Sequence, residues 1–146
     1  MKPRILVPFD FSPTAEQALA WAADLQKTTS AAPILLVHAI NSRPPGIGDA
    51  TLEVLLPNKD EIAGLERTMV EAARRHGAQA SAKVLIRASV VGDIIVDAAR
   101  SEDAELIVMG THGRTGVRRL FLGSVAEHVL RHADCPVVTV HAPRGA

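Results

Sequence analysis

Five short apolar runs, each followed or preceded by a stretch with helical spacing, limit this chain more than anything else in it. They are Ile5-Leu6-Val7-Pro8-Phe9, Ile34 to Ile40, the alternating Ala80 to Ile86, Leu106 to Met109, and Val137 to Val140. Continuous apolar runs of strand length suit strands buried on both faces, as in a parallel sheet. The stretches between them carry apolar residues at three- and four-residue intervals, so the order reads β-α-β-α-β-α-β-α-β. Strands and amphipathic helices in alternation predict an α/β fold with a parallel open sheet and helices on both faces. Ligands in such folds sit beyond the carboxyl ends of the strands, where strand order reverses. The ends at Asp10, near Ala39 and at Gly110 should therefore meet in one crevice.

Local signals place the helices. Ser12 reads as the N-cap of the first, with Pro13 at the first helical position and Ala15, Ala18, Leu19, Ala22 and Leu25 as its buried stripe. Trp21 borders that stripe and reads as packing. Asp60 to His76 predicts the second helix, with Ile62, Leu65, Met69, Ala72 and Ala73 inward and Gly77 as its stop. Ala80 to Ile86 alternates in the manner of an edge strand, and Ser89 is the expected cap of a third helix facing inward through Val91, Ile94, Ile95 and Ala98. The excursion from Asn41 to Asn58 carries Leu52, Val54, Leu55 and Leu56, more apolar surface than a solvated loop needs.

The chemistry concentrates after the fourth strand. Leu106 to Met109 runs into Gly110-Thr111-His112-Gly113, a loop with Arg114, Arg118 and Arg119 follows, and Gly123-Ser124 opens a helix from Val125 to about His132. Glycines at a strand end let backbone N–H groups approach an anion, and a helix N-terminus adds its positive end. Two such elements joined by a basic loop form a plausible polyphosphate cradle. Each residue also has a plainer reading. Asp10 could support the first helix start, Ser124 and Glu127 have the spacing of a capping box, and the arginines could be a solvated loop. His38 reads as a core histidine satisfied by backbone, and Cys135 as a packed thiol.

Composition removes other classes. The 146 residues suit one domain spanning 1–146, and balanced charge with 3% aromatics removes the basic field and stacking platforms that nucleic-acid binders use. The apolar runs are too short to cross a bilayer, and a single cysteine fits a reducing compartment, so a cytoplasmic protein with no membrane or nucleic-acid partner is expected. No metal site is expected from the scattered histidines. Neither a Walker loop nor a dinucleotide Gly-x-Gly-x-x-Gly follows the first strand, and no nucleophile elbow is present.

Gly110-x-x-Gly113, nine residues, then Gly123-Ser124, together with the flanking strand and helix and Ile5-Leu6-Val7-Pro8-Phe9-Asp10-Phe11-Ser12, resembles the small single-domain universal stress proteins over essentially the whole chain. The resemblance implies a five-stranded parallel sheet of the Rossmann-like, adenine nucleotide alpha hydrolase-like kind and a homodimer. It implies ATP, AMP or ADP as a regulatory ligand, with Mg²⁺ carried by the nucleotide. By position, Asp10 would accept from the adenine amino group and backbone near Ala39 would hold the adenine edge. Gly110, His112 and Gly113 would line ribose and phosphates, and Gly123, Ser124 and Val125 would bind the phosphate tail. Pro8, Phe9, Met109 and Arg114 complete the expected lining. The chain departs from the family pattern at Ala88-Ser89-Val90, where Gly-x-Pro is common, and at Ala126, where some binders carry a hydroxyl. A slow ATPase and a nucleotide-free scaffold remain alternatives, with an unknown downstream partner. The last strand, Pro136 to Val140, is the expected dimer edge.

Overall fold

The computed structural model describes residues 4–29, 33–46, 48, 56–112 and 122–141. Its five parallel strands are β1 (Ile5–Pro8), β2 (Ile34–Asn41), β3 (Ala80–Arg87), β4 (Leu106–Gly110) and β5 (Val137–Val140), in the order β3-β2-β1-β4-β5. Ile5 of β1 stands opposite both Ile34 of β2 and Leu106 of β4. The chain thus moves outward from β1 through β2 to β3, then returns to the other side of β1 for β4 and β5. That reversal puts the switch point between the carboxyl ends of β1 and β4. The expected parallel α/β architecture is present.

Among the described residues four helices cover the sheet: α1 (Pro13–Thr29), α2 (Lys59–Arg75), α3 (Val91–Ser101) and α4 (Ser124–His132). Alternation along β1 explains why its run has no polar residue. Ile5 and Val7 pack toward α1 and α2, among Leu19, Ala22, Met69 and Ala73, while Leu6 packs toward α3 and α4, among Ile95, Ala98, Ala126 and Val129. Alanines at 15, 18, 22 and 23 line the buried side of α1, and small side chains there let the helix lie close on the sheet. Removing a side chain such as Leu19 from this core would cost about 2–5 kcal/mol.

The helix ends differ from expectation in instructive ways. Ser12 caps α1 as expected, its Oγ accepting the Ala15 N–H at 3.2 Å. α2 starts one residue early, because Asn58 and Glu61 form a reciprocal capping box at 2.9 and 2.8 Å. Gly77 ends that helix at φ 72, in the left-handed region that glycine adopts freely. Ser89 does not cap α3: Val90 is the N-cap and no side chain reaches its amides, while the Ser89 hydroxyl lies 3.5 Å from Asp93. Trp21 is not packed either. It is 41% exposed, since it lies about 100° around the helix from the buried Ala22. Cys135 is half-buried against the α3–α4 side of the core, and burial pushes its thiol up. Residues 52, 54 and 55 of the apolar excursion lie outside the described residues, and Leu56 is half-buried.

Candidate functional site

A cavity of about 200 Å³ opens at the switch point. Its walls come from the ends of three strands and the starts of three helices: the segments 8–10, 37–39 and 109–112, then Ser12 to Ala15, Val91 with Ile95, and residues 123–126. Of the residues expected from sequence, Pro8, Phe9, Asp10, Ala39, Met109, Gly110, His112, Gly123, Ser124 and Val125 all border it. Gly113 and Arg114, like Arg118 and Arg119, lie outside the described residues.

The turn after β1 is held from several sides. The Phe9 amide donates to the Val37 carbonyl at 2.8 Å, and Asp10 Oδ1 accepts the Ser12 N–H at 3.0 Å. Asp10 therefore shapes the turn, whereas the helix cap is Ser12 itself. Phe11 takes φ 65, in the left-handed region, where a side chain is strained by about 1–2 kcal/mol. Its ring meets those of Phe9 and His38 edge-on, each at 5.1 Å, which offsets part of that strain. His38 donates from Nδ1 to the Phe9 carbonyl at 2.8 Å, the backbone partner expected of it.

Hydroxyl groups join this turn to the end of β4. Thr14 donates to the His112 carbonyl, and since a carbonyl only accepts, Ser12 must donate to Thr14 across 3.2 Å. The chain of donors thus runs from the Ala15 amide through Ser12 and Thr14 to His112. Gly110 permits this closeness, because a Cβ there would lie 2.7 Å from Thr14 Cβ. Gly123 serves a similar purpose: its N–H donates to the Thr111 carbonyl at 2.7 Å, and a Cβ would sit 2.8 Å from that oxygen. These two glycines bring the protein's own loops together, and the Gly123 amide is already used.

The start of α4 is different in kind. The capping box expected from Ser124 and Glu127 is not formed. Gly123 is the N-cap, with no side-chain cap, and Ser124 is already helical. Glu127 instead donates its amide to the Gly123 carbonyl and pairs through its carboxylate with Arg131 at 2.8 Å. The first amides of α4, at Ser124 to Ala126, therefore end at the cavity wall with the positive pole of the helix behind them. Beside them, His112 Nδ1 lies 2.9 Å from Thr111 Oγ1, and its buried Nε2 finds no hydrogen-bond partner among the described residues. One end of the cavity thus gathers donors suited to an anion. Ala39, Val91, Ile95 and Met109 give the remaining wall an apolar character suited to a flat ring.

Sequence reasoning missed Thr14, Val91 and Ile95 as part of this site and gave the Thr111 side chain no role, since the inward face of a helix does not show which residues reach the cavity. It also passed over His128 and His132, one turn apart on α4, whose rings stack with centroids at 4.2 Å. His128 Nε2 pairs with Asp93 at 2.6 Å and locks α4 to α3, with Gly92 leaving room for the ring. Among the described residues no three His, Cys, Asp or Glu side chains gather as a metal site. No described helix is long and apolar enough to cross a membrane.

Comparison with known proteins shows the family and the fold. A model of the universal stress protein family matches residues 1–141. A universal stress protein of Thermus aquaticus, from the region 3′ of a QAH/OAS sulfhydrylase, is 35% identical over 136 residues, covering 93% of this chain and 96% of that one. Universal stress protein MJ0531 of Methanocaldococcus jannaschii is 31% identical over 145 residues, covering 97% and 83%. Among solved structures, MJ0577 of the same organism superposes with a TM-score of 0.78 at 28% identity, covering 99% of each chain. The universal stress protein of Archaeoglobus fulgidus in complex with dAMP superposes with a TM-score of 0.67 at 26% identity, covering 96% and 98%. The chain belongs to the universal stress protein family.

Proposed function

We propose that this protein binds an adenine nucleotide (ATP, ADP or AMP) in the switch-point cavity as a regulatory ligand in the stress response. The observation that carries this is the start of α4, which no side chain caps among the described residues, at the wall of an apolar crevice that His112 also lines, its Nε2 without a partner among those residues. A nucleotide has the matching halves, a flat base and an anionic tail. The base would lie by Asp10 and Ala39, and the phosphates at Ser124 and Val125, with Arg114 adding charge and Mg²⁺ arriving on the nucleotide. The dAMP bound by the Archaeoglobus relative supports the same ligand class. Binding would act by bridging the β1–α1 turn and α4, favouring one arrangement of the site over others. Titration calorimetry and thermal unfolding with ATP and AMP test the proposal. Ligand at one hundred times Kd should stabilise the fold by about 2.7 kcal/mol. Neither heat nor a Tm shift at millimolar nucleotide would contradict it.

In the cell the protein is proposed to be a cytoplasmic homodimer. β5 is an outermost strand whose four residues are all half-buried, a short Val-rich edge open to pairing with its copy. Val138→Pro should sediment as a monomer, and a variant that stays dimeric would place the interface elsewhere.

A further inference from the structure

His112 Nε2 finds no partner among the described residues, and the neighbour of Nδ1 decides the tautomer of the ring. Thr111 is 1% exposed, and its hydroxyl makes one hydrogen bond among the described residues, to His112 Nδ1 at 2.9 Å. Two arrangements fit that distance. If Nδ1 carried the proton, it would donate to Thr111 Oγ1, and the buried hydroxyl proton would be left without an acceptor. A buried donor without a partner costs the full desolvation of that group. If the hydroxyl donates to Nδ1 instead, its proton is satisfied, and the imidazole proton must sit on Nε2. His112 lines the cavity at the start of α4, and its buried Nε2 has no acceptor among the described residues.

We propose that Thr111 is a positioning residue that holds His112 in the Nε2–H tautomer, so that His112 donates to the anionic group of the bound ligand. The backbone cannot drift from this geometry, because the His112 carbonyl takes the Thr14 hydroxyl and the Thr111 amide donates to Val140 at 3.1 Å. The consequence is selectivity for phosphate over hydroxyl at this end of the cavity. An N–H donor together with helix amides favours a group that only accepts. The opposite tautomer would present a lone pair to that phosphate and repel it.

The assignment rests on the nucleotide binding proposed above, and the experiment separates the two. Nitrogen-15 NMR of the ring of His112, in protein free of ligand and at a pH where the ring is neutral, reads the tautomer directly. The ratio of affinities for AMP and adenosine reads its consequence. The wild type should show Nε2–H and a clear preference for AMP. Thr111→Val, which keeps the shape but removes the hydroxyl, should release the tautomer and lower the AMP to adenosine preference by about ten- to a hundredfold. Thr111→Ser, which restores a hydroxyl, should recover both. An Nδ1–H tautomer in the wild type would overturn the inference, as would a Thr111→Val protein that is folded and keeps the wild-type preference. Failure of AMP and adenosine alike to bind would overturn nucleotide binding and with it the ligand role of His112. The tautomer measured without ligand would still stand or fall by itself.

Discussion

The starts of α1 and α4 face the same cavity and are built in opposite ways. At α1 the protein satisfies its own amides: Ser12, 2% exposed, caps Ala15, and its hydroxyl passes on through Thr14 to His112. At α4 no side chain among the described residues caps the helix, although a serine and a glutamate stand at capping-box spacing. One helix start is finished internally and serves as structure. The other is left with donors directed at a cavity. A binding site of this kind is recognised less by what its residues contact than by what they leave uncontacted.

Substitutions can break or sharpen that contrast. The largest effect is expected from Gly110→Ala, which drives a methyl to 2.7 Å from Thr14 Cβ and 2.9 Å from its backbone carbon. Neither neighbour is a flexible tip, so denaturant unfolding should show a loss of about 3 kcal/mol, the upper part of the overpacking range. Ser12→Ala comes next. It removes a buried cap and orphans the Ala15 amide, and should cost about 1–2 kcal/mol in the same assay. Ser124→Ala should change stability least, by less than about 0.5 kcal/mol, because its side chain caps nothing. If Ser12→Ala and Ser124→Ala proved equally costly, the two helix starts would not differ as described.

Much of the fold was legible in the chain because its causes are local. Continuous apolar runs reveal strands buried on two faces, and Ser12-Pro13 marks a helix start through its own backbone. Ser124 and Glu127 show where such signals mislead. Their spacing is correct, yet Gly123 takes the N-cap position because its amide reaches the Thr111 carbonyl, a contact that closes the two ends of the β4–α4 connection. Gly110 and Gly123 stand out in the sequence as part of an anion cradle, and the structure gives them a further physical reason. Their missing side chains make room for Thr14 and Thr111, and that crowding exists only once the sheet has formed. Trp21 and Ser89 failed for simpler reasons, one standing at the edge of the buried stripe and the other one residue short of the N-cap. The hydroxyl chain from Ser12 to His112 had no sequence signature, since three common residues become a relay only by burial.

The most direct test of the central claim is the amide nitrogen–proton NMR spectrum of the protein titrated with AMP. The Ser124 and Val125 amides should move strongly and saturate together, while that of Ala15, already held by Ser12, should barely respond. An unchanged pair at Ser124 and Val125, with AMP bound elsewhere or not at all, would contradict the account.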